Sequence, residues 1–164
     1  MKISFSTLAC PDFSWTDIYS MAKDLAFDGI EVRGLGEDIF AVNARPFTDA
    51  RLPKTVEKLK SLGLEIPCLA SGCGLKVKKD YDRNISEITQ YVVLAKKLGT
   101  PYIRVLGDLR PEAEDDVDDG FVAGCLRLLG TIAQGFGVTL LVETNGVYAD
   151  TKRLAKLLDQ VNMP

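Results

Sequence analysis

Apolar and polar positions along this chain follow two alternating periods. Runs in which apolar residues alternate with polar ones predict strands, and stretches with an apolar residue every three or four positions predict helices. The pattern predicts five strands, each followed by one helix. The predicted strands span residues 2–8, 29–33, 65–71, 102–108 and 138–145.

A glycine recurs at the predicted junctions between a helix and the next strand. Gly29, Gly63, Gly99 and Gly137 follow one another roughly every 35 residues, a spacing that fits one strand, one helix and two loops. We expect each glycine to adopt the left-handed backbone conformation that ends a helix.

Start signals precede the predicted helices. Ser14 and Asp17 resemble a capping box, and Pro53 suits a first helical turn. Asn84 and Asp150 are predicted to cap the third and fifth helices. The acidic stretch at residues 112–119 suits the N-terminus of the fourth helix.

The two faces of the predicted strands differ in character. In the second, fourth and fifth strands, aliphatic residues alternate with charged ones. Since successive strand residues point to opposite faces of the sheet, one face is aliphatic. The other face carries Glu31, Arg33, Arg104 and Glu143. The predicted sheet therefore has one side suited to helix packing and one side that gathers charge.

Two folds accept alternating strands and helices: an open doubly wound sheet and a closed barrel. A doubly wound sheet covers both faces with helices, and an unpaired charge buried there costs several kcal/mol or more. A barrel keeps helices outside and leaves a lumen for paired charges. The predicted fold class is α/β, a partial (β/α)8 TIM barrel of five β-α units with a parallel sheet. Residues 1–164 are predicted to form one domain.

The composition of the chain limits which catalytic groups and which partners are expected. The chain has 164 residues and no histidine, which excludes Ser-His and Cys-His catalysis and removes the commonest metal ligand. A net charge of −3 gives no reason to expect nucleic acid or a membrane surface as partner. The four cysteines form no C-x-x-C pair and suit a cytoplasmic protein with reduced thiols.

The strongest candidate for chemistry is Glu143. It follows a buried apolar run and precedes Asn145 and Gly146, so its carboxylate is predicted at the C-terminal end of a strand. Ligand sites form at that end of parallel strands, and a carboxylate there can bind a divalent cation or transfer a proton. The alternative is an ion pair with Arg104 inside the barrel.

Other polar residues near strand ends are candidates for substrate binding. The set is Glu31, Arg33, Ser71, Arg104, Asp108 and Asn145. Each also has a structural alternative. Glu31 and Arg33 could form a lumen ion-pair network with Arg104. Ser71 could belong to a plain loop, Asp108 could cap a turn, and Asn145 could form an Asn-Gly turn.

Four stretches of the chain, taken in order, resemble the xylose isomerase-like TIM barrel superfamily of sugar (phosphate) isomerases and epimerases. They lie at residues 3–7, 27–33, 103–107 and 140–145. The resemblance implies metal-dependent aldose–ketose isomerisation or ketose epimerisation of a sugar or sugar phosphate. Glu143 matches the family's metal-binding glutamate at the end of the fifth strand.

The resemblance also sets limits on this chain. In the family, the remaining ligands for the divalent metal (Mn, Mg, Co or Zn) come from later strands, as an Asp, a His and a Glu, and this sequence ends before them. We therefore expect the chain alone to be inactive and not necessarily to bind metal.

Two non-catalytic alternatives remain at this stage. The chain could be a flavodoxin-like or receiver-like α/β module, although residues 7–10 lack the acids and the phosphate loop that such modules place after the first strand. It could also be an assembly module whose open sheet edges pair with a second copy to complete a barrel.

Overall fold

The computed structural model describes residues 1–109 and 116–163, and strands alternate with helices through this part of the chain. The strands are β1 (Ser4–Ser6), β2 (Gly29–Glu31), β3 (Cys68–Gly74), β4 (Tyr102–Leu106) and β5 (Thr139–Val142). The helices are α1 (Trp15–Asp24), α2 (Leu52–Leu62), α3 (Tyr81–Leu98), α4 (Asp119–Gln134) and α5 (Thr151–Val161). Short 3-10 turns occupy several of the connections.

The strands pair in the order in which they occur along the chain, and all pairs are parallel. β1 pairs with β2, and β3 pairs with β4, which pairs with β5. Backbone hydrogen bonds join the two groups: the N–H of Ile30 donates to the Glu65 carbonyl at 2.9 Å, and that of Val32 donates to the Cys68 carbonyl at 3.1 Å.

This strand order separates the two candidate folds. A flavodoxin-like sheet places its first strand between the second and third, whereas a barrel keeps the strands in sequence. The observed order excludes the flavodoxin-like alternative. The predicted fold class, a parallel α/β partial TIM barrel with five strand–helix units, is confirmed.

The aliphatic face of the sheet forms the core with the helices. α1 packs on β2, α3 on β3 and β4, and α4 on β5. The strand residues on this face have no solvent exposure: Ile30, Val32, Leu69, Ile103 and Val105. The helices bury side chains against them, including Ile18, Ile88, Val92, Leu129 and Leu157.

Several strands begin or end at other residues than predicted. β1 covers only Ser4–Ser6, because residues 7–9 turn into a 3-10 helix in which the Ser6 hydroxyl accepts a hydrogen bond from the N–H of Leu8. β3 begins later than expected, after Pro67, which has no N–H to donate to the ladder, and it continues to Gly74.

Most of the predicted helix caps are confirmed. Ser14 and Asp17 form a capping box, and the Asp150 side chain accepts a hydrogen bond from the N–H of Lys152. The prediction for Asn84 is wrong: α3 begins earlier, at Tyr81, and the Asn84 side chain is buried, where it donates to the Gly74 carbonyl. Within the described residues, no helix combines the length and apolar character that a membrane span requires.

The acidic stretch at residues 112–119 lies only partly within the described residues. Residues 112–115 lie outside the described residues. α4 begins at Asp119, and the Asp118 side chain caps it by accepting a hydrogen bond from the N–H of Phe121. The described end of the stretch therefore supports the predicted helix start.

Three of the four junction glycines are left-handed, as predicted: Gly63, Gly99 and Gly137, with φ of 69°, 72° and 74°. The prediction for Gly29 is wrong, because Ala26 makes the left-handed turn instead and Gly29 lies within β2. Gly29 is required there for close packing. A Cβ on it would lie 2.7 Å from the Ser4 hydroxyl oxygen and 3.0 Å from the Glu65 carbonyl oxygen.

Candidate functional site

The strand register gathers alternate residues on the face of the sheet opposite the helices. Ser6 lies beside Glu31 in the β1–β2 pair, and Arg104 lies between Ala70 and Leu141 in the β3–β4–β5 group. We call this surface the lumen face. It is open to solvent at Tyr102 and Leu141, whose exposed fractions are 42% and 39%.

Arg104 is the centre of the lumen face. Its Nε lies 3.1 Å from Oε2 of Glu143, and its Nη1 donates to the Ser71 carbonyl at 3.1 Å. In return, the Ser71 hydroxyl donates to the Arg104 carbonyl at 2.8 Å. One guanidinium group therefore links the C-terminal parts of β3, β4 and β5, and only 9% of Arg104 is exposed.

Glu143 is the exposed partner of this pair. The exposed fraction of its side chain is 46%, against 11% for the side chain of Arg104. The backbone N–H of Glu143 donates to the Val105 carbonyl at 3.0 Å, which extends the β4–β5 ladder by one residue. The carboxylate is thus fixed on one side by a cation and open to solvent on the other.

Glu31 supplies a second carboxylate on the same face. Burial raises the pKa of the Cys68 thiol to about 12, and the negative charges of Glu31 and Glu143 contribute to the rise. Both carboxylates therefore act on the same thiol. A thiol with this pKa stays protonated at neutral pH, so Cys68 is not activated as a nucleophile.

The expected ion-pair network of Glu31 and Arg33 with Arg104 does not form among the described residues. Arg104 pairs with Glu143, and no described residue makes an ion pair or hydrogen bond with the Glu31 carboxylate. The Arg33 side chain instead contacts the backbone, where its Nη1 donates to the Ile39 carbonyl at 3.2 Å. The loop after β2 provides that carbonyl, so strand alternation alone could not reveal it.

Glu87 is a residue that the sequence analysis missed. Its carboxylate accepts a hydrogen bond from the N–H of Gly72 near the end of β3. A Cβ on Gly72 would lie 3.3 Å from Oε1 of Glu87, so the glycine makes room for this carboxylate. The only sequence signal was the glycine itself, because Glu87 looks like an ordinary polar residue of a surface helix.

Asp108 is fully buried just after β4. Its carboxylate lies 3.0 Å from Nζ of Lys76 and accepts hydrogen bonds from the N–H groups of Leu109 and Val147. Burial acts to raise the pKa of Asp108, but these partners outweigh it and the pKa is lowered. The turn-capping alternative matches the observed contacts, and a substrate contact of Asp108 stays a prediction.

Ser71 and Asn145 differ in the polar atoms that they leave available. The Ser71 hydroxyl is buried and already both donates to Arg104 and accepts from the N–H of Cys73. In contrast, Oδ1 of Asn145 is buried, and within residues 1–109 and 116–163 it has no hydrogen-bond partner. Such an orphaned acceptor close in sequence to Glu143 suits a hydrogen-bond donor on a ligand.

The residues present do not by themselves make a divalent metal site. The described part of the chain contains no group of three or more acidic, cysteine or histidine side chains placed to bind one ion. Divalent cations need several converging ligands, and Glu143 offers one carboxylate that already contacts Arg104.

Comparisons with known proteins agree with this architecture. A family model described as a xylose isomerase-like TIM barrel matches residues 20–164. A search of curated proteins with the sequence finds no significant match.

Solved structures show the same fold at low sequence identity. A probable 3-DHS dehydratase from Bacillus anthracis is 22% identical with a TM-score of 0.82, and the match covers 100% of this chain and 60% of that one. A xylose isomerase-like TIM barrel protein from Mycobacterium smegmatis in complex with magnesium is 13% identical with a TM-score of 0.77, covering 98% and 61%. An L-ribulose 3-epimerase is 17% identical with a TM-score of 0.73, covering 99% and 58%.

We predict that replacing Asp108 by Asn destabilises the fold by about 3 kcal/mol at pH 7. The buried carboxylate is lost, and with it the ion pair to Lys76 and part of the hydrogen bonding to the N–H groups of Leu109 and Val147. The pKa of Asp108 is lowered in the folded state, so its contribution is present above the unfolded-state pKa of about 4 and is lost as pH falls through the folded-state value. The difference in the free energy of unfolding between wild type and Asp108→Asn should therefore become smaller at acidic pH. Urea unfolding at neutral and acidic pH measures it.

The control for this experiment is Asp159→Asn, which removes an exposed carboxylate in α5. We expect it to change the free energy of unfolding by no more than about 0.5 kcal/mol. A stability gap for Asp108→Asn that stays constant with pH, or that the control reproduces, would contradict the assignment.

Proposed function

Because this chain belongs to the xylose isomerase-like TIM barrel family, we propose that it forms the N-terminal portion of a sugar or sugar phosphate isomerase or epimerase. The chain spans 58–61% of the length of the three similar structures described above, which supports a longer functional unit. Residues 1–164 are proposed to act as one domain, since the five strands pair consecutively. The observation that carries the proposal is the solvent-facing Glu143 carboxylate held by Arg104 on the lumen face.

The proposed reaction moves a proton next to a carbonyl group, either between two carbons or from one face of a carbon to the other. It needs a base that reaches the substrate and positive charge near the oxygen that becomes negative. Glu143 is proposed as the base, since its side chain is 46% exposed. Arg104, in contact with that carboxylate, is proposed to stabilise the developing negative charge on the substrate oxygen.

The six residues predicted to bind substrate are proposed to contribute in two ways. Glu31 and Asn145 have side-chain oxygens without a partner in the described part, so they are proposed to accept hydrogen bonds from sugar hydroxyls. The other four already bond to the protein and are proposed to shape the site: Arg33, Ser71, Arg104 and Asp108. Arg104 has this role in addition to its proposed action on the substrate oxygen.

A divalent metal is proposed as the cofactor of the complete protein, as Mn, Mg, Co or Zn. Glu143 is the proposed ligand from this chain, and the other ligands would come from outside it. The magnesium named with the Mycobacterium smegmatis structure supports this. The roles proposed for Arg104, Glu31 and Asn145 do not depend on the metal.

The proposed binding partner is a small sugar or sugar phosphate, with no role for nucleic acid or a membrane. A cytoplasmic location is supported by the four cysteines, which are all buried and free of disulfide bonds.

We predict that Glu143→Gln in the longer protein that contains this chain lowers kcat/KM for its sugar substrate by about 10²–10⁴-fold, because the amide cannot accept the proton. The matched control is Glu37→Gln, which changes an exposed glutamate in the loop after β2 and should leave the rate unchanged. An isomerase assay over a panel of sugars and sugar phosphates measures both.

Chelator provides the second arm of this test. We expect activity to disappear in chelator and to return with Mn²⁺ or Mg²⁺, while the 164-residue chain alone stays inactive. Full activity in chelator rejects the metal, and wild-type activity of Glu143→Gln rejects the proposed base.

A second candidate role is assembly with another copy of the chain. β5 ends the sheet, and beside it lies an apolar groove of about 530 Å³ between α4 and α5. Leu140, Val142, Leu158 and Met163 line this groove, and 48% of Leu158 is exposed. An uncovered sheet edge next to an apolar groove favours pairing with a second chain.

We predict that the 164-residue chain forms a dimer that Leu158→Glu disrupts, because the charge would enter the apolar contact. Leu25→Glu is the matched control, since Leu25 is 64% exposed at the end of α1. Sedimentation velocity over a range of concentrations measures the association. A wild-type chain that stays monomeric at all concentrations would count against the assembly role.

A further inference from the structure

A second cleft of the described residues lies outside the lumen face. It has a volume of about 640 Å³ and is formed by α1, α2 and the segment that joins β2 to α2. We call it the α1–α2 groove. None of the lumen-face residues Glu31, Cys68, Arg104 and Glu143 lines it, so it is separate from the candidate active site.

Positive charge is concentrated in this groove although the chain as a whole is acidic. Its lining includes the four cations Arg45, Arg51, Lys54 and Lys58. The acids that line it are Asp12 and Asp38, so the groove has an excess of two positive charges in a chain of net charge −3.

The four cations are available to a ligand. Within residues 1–109 and 116–163, none of them forms an ion pair with a carboxylate, and all four residues are exposed. Lys58 makes one internal contact, with its Nζ 5.3 Å from the centre of the Tyr19 ring. Several unpaired cations around one cleft raise the local potential and favour an anion.

The start of α2 adds to this preference. No side chain caps its N-terminus, where Arg51 is the capping residue and Pro53 lies in the first turn. The positive end of the helix dipole therefore faces the same region as Arg51 and Lys54. The neighbouring α1 differs, because a capping box closes its N-terminus: the Ser14 and Asp17 side chains each accept a hydrogen bond from the other residue's N–H.

Aromatic side chains form another part of the lining. Trp15 is held in place by edge contacts with Phe47 at 5.3 Å and Tyr19 at 6.0 Å between ring centres, and it remains partly exposed. Phe13, also in the lining, is 43% exposed. Rigid, partly exposed aromatic rings beside free cations suit a ligand that has both a ring and an anionic group.

We propose that the α1–α2 groove binds a small ring compound that carries a phosphate group, with the phosphate at Arg51, Lys54 and Lys58 and the ring against Trp15. The groove volume falls within the range of small-molecule sites. Arginine and lysine side chains are the usual phosphate-binding groups, and arginine can bind two phosphate oxygens at once. A sugar phosphate and a nucleotide share this chemistry. The proposal does not depend on the isomerase role.

The single tryptophan of the chain is Trp15, so its fluorescence reports on this groove alone. The 164-residue chain is titrated with ribose 5-phosphate, adenosine 5′-monophosphate and inorganic phosphate, and with ribose and adenosine as uncharged counterparts. Calorimetry in parallel checks for absorption artefacts. We expect saturable binding of the phosphorylated ring compounds, at least about tenfold tighter than that of their uncharged counterparts.

The variant Arg51→Gln/Lys54→Gln tests the assignment of the phosphate position. We expect it to weaken binding of the phosphorylated compounds by about tenfold or more, because two charged donors are lost. The charge-matched control is Lys23→Gln/Lys60→Gln, which removes exposed lysines of α1 and α2 outside the groove and should bind like wild type.

Three results would overturn the proposal: no saturable signal by either method, equal binding of charged and uncharged compounds, or equal weakening in the control variant. The last would mean that only the general charge of the surface attracts the phosphate. If ribose 5-phosphate binds more tightly than adenosine 5′-monophosphate, the site is one for sugar phosphates, and the reverse order assigns it to nucleotides.

Discussion

The guanidinium group of Arg104 ties three neighbouring strands together on the face of the sheet that the helices do not cover. It contacts the Glu143 carboxylate after β5 and the Ser71 carbonyl in β3, while the adjoining Ile103 and Val105 point into the aliphatic core. An arginine in this position could not be placed under a second layer of apolar helices without a large desolvation cost. The polar face therefore stays free of helices, as the lumen face of a barrel segment does.

The candidate site follows from this constraint. Because all strands are parallel, their C-terminal ends lie at one rim, and the residues after them share it. Glu143 is held by Arg104 at this rim but stays accessible, and Glu31 acts on the same thiol, Cys68, from β2. In contrast, Asp108 is fully buried and links β4 to the segment after β5. Two carboxylates that both follow a strand thus have different surroundings: Glu143 can reach a ligand, whereas Asp108 is occupied by contacts within the protein.

Much of the architecture could be predicted from the sequence, because strand alternation and helix periodicity are local and regular. The shared face of Arg104 and Glu143 follows from that alternation alone. What could not be predicted depends on loops and on close packing. Arg33 bonds to the carbonyl of Ile39, Glu87 reaches Gly72 from a helix, and Gly29 is required by its neighbours rather than by its backbone angle. None of these contacts changes the spacing of apolar and polar residues from which strands and helices are predicted.

The account depends most on the claim that one face of the sheet is packed and the other is open. Thiol labelling of single-cysteine substitutions in the native chain tests it most directly, since the four native cysteines are at most 8% exposed. The structure predicts rapid labelling of Tyr102→Cys and Leu141→Cys and protection of Ile103→Cys and Val105→Cys. Protection at all four positions would mean that helices cover both faces, and it would contradict the barrel and the site built on its lumen.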